Sequence, residues 1–284
     1  KVIEEWALIK DSSLTLTDEE IDRCQKFFDA PNYQKLSNSP AQLTDKLQSN
    51  VLFAAWHSQN VNPHKVPGYS IVTVCFKQTG VAPGDVTDRQ LEQLADLSEQ
   101  YSFGEIRISH KQNIVMADVR QDQLWKALES GAMVSHNLGL LTDVICCPGG
   151  DFCALANAKS IPIAESIQRK FDDHEELTNI GEMNLNISGC MNACGHHHVG
   201  NIGILGVDTK GEEYYQVSLG GSSKNNASLG KIIGPSFAQE EISDVVETIV
   251  GVYKDKRNDD EKFIDTYNRI GINPFKEKVY AKAD

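Results

Sequence analysis

At 284 residues, with 40% hydrophobic and 24% charged side chains, the chain can bury more than one core, and its formal net charge of −13 argues against broad nucleic-acid binding, because phosphates are held by Lys and Arg. No apolar run approaches the roughly 20 residues that span a bilayer, and the opening KVIEEWALIKDSS has no signal-peptide core. The expectation is a cytoplasmic protein with no membrane partner.

Residues 1–60 read as a helical lead, with Thr17-Asp-Glu-Glu20 patterned as a capping box and polar breakers at Ser37 to Pro40 before a second helical stretch near Gln42. Tyr69 to Gln78 is rich in β-branched residues and is stopped by Gly80 and Pro83, which predicts a strand. A second capping box, Thr87 to Gln90, opens a predicted helix through Tyr101 with Leu91, Leu94 and Leu97 on its apolar side. Short strands around Ile106 and Val115 and a helix from Asp122 to Gly131 complete a small α+β unit.

Farther along, Ser160 before Ile161-Pro162 marks a helix start, with Ile163, Ile167 and Phe171 repeating at i, i+4, i+8. Strands are expected at Leu185 to Ser188, Ile202 to Val207 and Tyr214 to Leu219. Gly203 and Gly206 would admit close backbone approach to a cofactor or mark a bulge. After Pro235-Ser236, the stripe Ile242, Val245, Val246, Ile249, Val250, Tyr253 predicts a core helix. Lys254, Lys256 and Arg257 at its C-terminal end suit the helix dipole and could join a donor-docking surface.

The chemistry-bearing residues are cysteines. Cys147-Pro-Gly-Gly-Asp-Phe-Cys153 and Cys190-Met-Asn-Ala-Cys194 supply four thiols as two loop-borne pairs, which is what a 4Fe-4S cube takes, one thiolate at each iron corner. Two other readings stand beside it: buried thiols acting as small hydrophobes, and structural zinc held by some of the thiols with His196, His197 and His198. The five-residue gap of the first pair suits zinc poorly. Cys146 falls outside the spacing, and Cys24 and Cys75 lie in helical and strand patterns, so these three read as packed bystanders.

Those loops, in CCPGGDFCALANAKSI and LNISGCMNACGHHHVGNIGILG, together with GYSIVTVCFKQTGVAPGDV through GEIRISHKQNIVMADV, YYQVSLGG and INPFKEKVY, resemble the siroheme-dependent sulfite and nitrite reductases over roughly residues 50 to 280. The resemblance implies an α+β fold: a ferredoxin-like half-domain at 61–135 after the lead at 1–60, then an α/β domain at 136–284 for siroheme and a 4Fe-4S cluster. It implies Cys147, Cys153, Cys190 and Cys194 as cluster ligands, with Cys194 also bridging to the siroheme iron. Met191 stands where the family commonly has proline. Arg107-Ile-Ser-His-Lys-Gln-Asn113 matches the family's Arg-x-Ser/Thr-x-x-Gln-Asn pattern. Siroheme carries eight carboxylates, which cationic and amide donors recognise, so Arg107, Lys111, Gln112, Asn113 and Asn192 are the expected macrocycle contacts. A hairpin whose alternate residues face water is the other reading of the Arg107 segment.

The implied function is that of the C-terminal half of an assimilatory sulfite reductase hemoprotein, reducing sulfite to sulfide by six electrons, with nitrite reduction to ammonia as the alternative. An electron-transfer iron-sulfur module without siroheme of its own is a further alternative. The implied partners are the N-terminal half of the same reductase, which would carry most of the substrate-gripping Arg and Lys, and a ferredoxin or flavoprotein donor. This half by itself is expected to be inactive.

Overall fold

The computed structural model describes residues 1–10, 15–129 and 135–281. The chain divides into two compact units, Lys1–Leu36 and Ser37–Asp284. The first holds helices α1 (Val2–Ile9) and α2 (Asp18–Lys26), in which no residue is buried. Thr17 caps α2 by accepting the Glu20 N–H at 3.2 Å, one half of the expected capping box. The Glu20 carboxylate turns instead to Arg23, at 2.8 and 2.6 Å, because a charged fork outcompetes a neutral backbone donor.

The second unit begins with α3 (Ala41–Ser49) and α4 (Val51–Asn60), then β1 (Val61–Pro63), β2 (Tyr69–Val74), α5 (Asp88–Tyr101), β3 (Arg107–Ile108), β4 (Ile114–Arg120) and, after a 3-10 turn at Gln121–Gln123, α6 (Leu124–Glu129). The strands form an antiparallel sheet in the order β1-β2-β4-β3. Val72, Val74 and Met116 of the sheet bury against Phe53 and Trp56 of α4 and Leu94 and Leu97 of α5. Each such side chain contributes roughly 1.5–3 kcal/mol through removal from water. The Thr87 box is complete, with Gln90 N–H on the Thr87 hydroxyl at 3.2 Å and Thr87 N–H on the Gln90 side chain at 2.8 Å.

Three details depart from the sequence reading. The strand expected to reach Gln78 stops at Val74, because loops take over its backbone: Gly84 N–H donates to Phe76 O at 2.9 Å and the Asn137 amide to Lys77 O at 3.1 Å. Leu91 is 49% exposed and faces a cavity rather than the core. The helix expected at Asp122 starts instead as a 3-10 turn, and Gly131 lies outside the described residues.

The rest of the unit runs β5 (Ile145–Cys146), α7 (Ile161–Lys170), α8 (His174–Ile180), β6 (Leu185–Ser188), β7 (Ile202–Thr209), β8 (Glu212–Leu219), β9 (Lys231–Ile232), α9 (Ile242–Lys256), α10 (Phe263–Ile270) and α11 (Asn273–Val279). The sheet order is β5-β6-β7-β8-β9, parallel from β5 to β7 and antiparallel beyond. Its core joins Leu185, Ile187, Ile202, Ile204 and Val217 to Ile163 and Ile167 of α7 and to the whole predicted stripe of α9. At the end of α9, Arg257 donates to Asn179 O at 2.7 Å and Lys254 pairs with Glu176 at 2.9 Å, so these cations tie α9 to α8.

Candidate functional site

Both cysteine loops leave the carboxyl ends of neighbouring parallel strands. In open α/β sheets that edge is where connecting loops diverge and leave a crevice. Cys147 follows β5 directly and its N–H still reaches Ile187 O of β6 at 3.2 Å, while Gly189 and Cys190 follow β6. From Cys147 the chain makes a 3-10 turn over Gly149–Asp151, in which Cys153 N–H closes on Gly149 O at 2.9 Å.

The two loops are bonded to each other. Gly189 N–H donates to Cys147 Sγ at 3.1 Å, and Asn157 and Ala158 N–H both donate to Gly189 O, at 2.8 and 3.0 Å. An N–H aimed at sulfur suits a thiolate better than a thiol. Close approach sets two of the glycines. At Gly149, with φ +59°, a Cβ would lie 2.4 Å from Ser160 N, and at Gly195 it would lie 1.9 Å from Ile187 O. Gly203 and Gly206 likewise accept close approach, but from the protein's own loops, at His197 O and at Ala158 and Gly189, and β7 keeps its register through both without a bulge.

All the described cysteines are free thiols. Cys190 is buried, Cys147 and Cys153 are half-buried, and Cys194 is exposed. Asn192 is exposed between the second pair. Among the described residues no three His, Cys, Asp or Glu side chains are set to hold a single metal ion. Thiols distributed over two interlocked loops fit a cube, which takes one at each corner. Cys146 alternates inward from Cys147; burial, with Cys147 beside it, pushes its thiol pKa well up and keeps it protonated. Cys75 is buried too, its pKa raised by burial and by Asp143.

The three consecutive histidines separate. His197 is buried, and burial with His198 next to it lowers its pKa to about 4, so its ring is neutral. His196 and His198 are exposed, His196 in a left-handed turn with φ 54°.

The Arg107–Asn113 segment forms β3 and the turn into β4. Arg107 is exposed and pairs with Glu105 at 2.5 Å. Gln112 sits at φ 57°, a strained conformation for a residue with a side chain, and its amide is doubly bonded to one backbone unit: it donates to Cys146 O at 2.7 Å and accepts from Cys146 N–H at 2.9 Å. Both ends of its amide hold the hairpin to the strand that delivers Cys147. Asn113 is buried, donates to Asp143 Oδ1 at 3.1 Å, and leaves its own Oδ1 without a partner. A cavity of about 700 Å³ runs from Gln112 and Asn113 past Ile108 and Phe76 to Cys147, Pro148 and Phe152. Lys111 is half-buried and lines a neighbouring cavity of about 570 Å³ with Asn113 and His110.

The sequence reading passed over the residues behind this hairpin. Lys77, with no exposed side-chain surface, donates to Asp143 at 2.6 Å and to Lys111 O at 2.8 Å. Asp143 also accepts Gly139 N–H at 2.9 Å. This buried pair joins the four-stranded sheet to the approach to β5. The signal was a lysine ending an apolar strand pattern, which reads equally well as the first loop residue.

Comparison with known proteins matches the same segments. The family model described as the nitrite and sulphite reductase 4Fe-4S domain matches residues 140–284, and that of the nitrite/sulfite reductase ferredoxin-like half domain matches residues 66–132. A protein named sulfite reductase [ferredoxin] 1 from Mycolicibacterium paratuberculosis is 28% identical over 199 residues, covering 65% of this chain and 36% of that protein. A ferredoxin–nitrite reductase from Synechococcus elongatus is 25% identical over 201 residues, covering 67% and 37%. The chain thus spans about a third of the length of these relatives. In fold it resembles the Mycobacterium tuberculosis NirA protein, with TM-score 0.61, 23% identity and coverage of 76% of this chain and 41% of that one. It also resembles dissimilatory sulfite reductase I, with TM-score 0.61, 15% identity and coverage of 98% and 90%. The fold is therefore α+β with a ferredoxin-like half-domain, and the chain belongs to the nitrite and sulphite reductase family, whose cofactors are a 4Fe-4S cluster and siroheme.

Proposed function

We infer that Cys147, Cys153, Cys190 and Cys194 are the four cluster ligands of a siroheme-dependent sulfite reductase, with exposed Cys194 the one shared with the siroheme iron. The observation that carries this reading is the Gly189 N–H on Cys147 Sγ, which binds the two cysteine loops into one site inside a segment matched as a 4Fe-4S domain. When bound, the two cofactors supply one-electron storage beside a substrate-binding iron, which six-electron reduction of sulfite to sulfide requires. The chain's own part is to orient and shelter. Gly189 fixes the Cys147 sulfur, Gln112 holds the hairpin on the cluster strand, and Phe76, Ile108 and Phe152 give the cavity apolar wall surface. Arg107, Lys111, Gln112, Asn113 and Asn192 are the side chains we assign to the macrocycle, the cations facing its carboxylates.

Sulfite is favoured on overall resemblance. Nitrite reduction to ammonia is the second reading, supported by the relative named for it. We assign residues 61–135 and 136–284 as the two working domains. They would act with a complementary half carrying most of the substrate-binding cations, fed by a ferredoxin or flavoprotein in the cytoplasm, where thiolates stay reduced. Among the described residues no helix is long and apolar enough to cross a membrane.

Iron and sulfide content after anaerobic reconstitution tests the ligand set. Cys147→Ala is expected to lose the cluster and Cys146→Ala to keep it; the reverse would mean the register is shifted by one. In the assembled reductase Cys194→Ser is expected to abolish turnover, and full turnover would reject the bridge.

A further inference from the structure

Ser160 is completely buried immediately before α7, where a serine hydroxyl ordinarily accepts an N–H from the first helical turn. Here it does not cap: its backbone is helical (φ −109°, ψ −37°) and its side chain makes no such bond. Its hydroxyl lies instead 3.5 Å from Cys147 Sγ. Two loop glycines close on that hydroxyl, since a Cβ would come within 2.6 Å of it at Gly149 and 3.0 Å at Gly189. Any side chain at either glycine would push the hydroxyl away from the sulfur.

A cysteine bound to iron carries no proton, so in a loaded site Ser160 has to be the donor and sulfur the acceptor. Cys147 would then receive two donors, the Gly189 N–H and the Ser160 O–H. Electron entry makes the cluster and its sulfurs more negative, and a buried donor aimed at sulfur favours that state. Hydrogen bonds to sulfur are among the features that set cluster potentials.

We propose that Ser160 is a positioning residue that raises the reduction potential of the 4Fe-4S cluster by donating its hydroxyl to the Cys147 thiolate. The proposal rests on Cys147 being a cluster ligand. It gives the 160 position a part in electron uptake that its place as a helix start does not suggest.

The test is a potentiometric titration, followed by electron paramagnetic resonance of the reduced cluster, on wild type, Ser160→Ala and Ser160→Thr reconstituted with iron and sulfide. Ser160→Ala is expected to titrate at lower potential by about tenfold in the reduction equilibrium, about 59 mV for one electron, while Ser160→Thr, which keeps the hydroxyl, stays near wild type. An unmoved potential in Ser160→Ala with full iron content would overturn the proposal.

Wild-type protein supplies a second reading that needs no variant to fold. Brief exposure to D₂O labels the hydroxyl before the buried Gly189 amide, and is expected to shift an iron–thiolate stretching band in the resonance Raman spectrum. A band that does not shift also overturns the proposal. Cys147→Ala separates the two levels: cluster retained there removes the ligand assignment itself, whereas cluster lost there with an unmoved Ser160→Ala potential rejects only the role of Ser160.

Discussion

The Lys77 ammonium sits between the Asp143 carboxylate and the Lys111 carbonyl, and Asp143 in turn holds Asn113 and Gly139. A buried pair of this kind is costly to break on one side, because the remaining charge has neither water nor partner, whereas removing both charges together is often tolerated. Asp143→Asn is expected to lower unfolding stability by about 3–5 kcal/mol, read from the denaturant midpoint, and Lys77→Met added to it to restore at least half of that loss. Equal stability of the single and double variants would show that the charges are not coupled. At this scale the sequence announced the thiols, because their spacing is chemically restrictive. It did not announce Lys77, Asp143 or Ser160, whose roles depend on partners 66 residues away for the first two and 13 for the third. Gln112 shows the same limit: the motif placed it correctly in the hairpin, but only the fold shows its amide engaged by the backbone of Cys146.

Among the elements, those with strong internal periodicity were legible, and of the two-residue strands only β3 was. The stripe on α9 and the box opening α5 are local signals, complete within a few turns. β5 and β9, two residues each, exist because a neighbouring strand pairs with them, and no window of sequence contains that neighbour. Truncating Ile249, buried in the middle of α9, to Ala is expected to cost about 2–5 kcal/mol in equilibrium unfolding. The segment entering α10 carries a titratable lock. The Arg269 guanidinium, with the Asn258 N–H next in importance, pulls the Glu261 carboxyl down to about 2, below the roughly 4.3 of an unfolded chain. A depressed carboxylate pKa contributes stability that is fully present above about pH 4.3 and is lost as pH falls toward 2. Thermal midpoints of wild type and Glu261→Gln measured from pH 6 to pH 2 are therefore expected to differ most at the upper end and to converge at the lower. Parallel curves would mean that Glu261 carries no proton linkage.

For the whole molecule, the tension is between a net charge of −13 and the anionic substrate proposed above. A site that takes sulfite or nitrite needs local positive potential. Of the described cations near the cysteine loops, Lys77 is paired with Asp143, Lys159 with Asp151 and Arg107 with Glu105, while Lys111 lines the neighbouring cavity. The chain also spans only about a third of the length of the two reductases it matches in sequence above. Both facts are accommodated if the thiolate ligands and the substrate-gripping cations lie on different segments that meet around the cofactors. The sequence motifs made the thiolate segment legible because ligation restricts them, whereas cations that grip an anion follow no spacing that a motif records. On that arrangement the chain would hold only part of the centre by itself. Expressed in cells able to make siroheme and purified without oxygen, it is expected to show a broad shoulder that dithionite bleaches, with neither a Soret band nor a red chlorin band, and to form no sulfide from sulfite with a reduced donor. Adding the complementary segment is expected to bring in the chlorin bands and turnover together. Chlorin bands in the chain alone would place the whole coupled centre within these 284 residues and move the search for substrate-binding cations back onto Arg107 and Lys111.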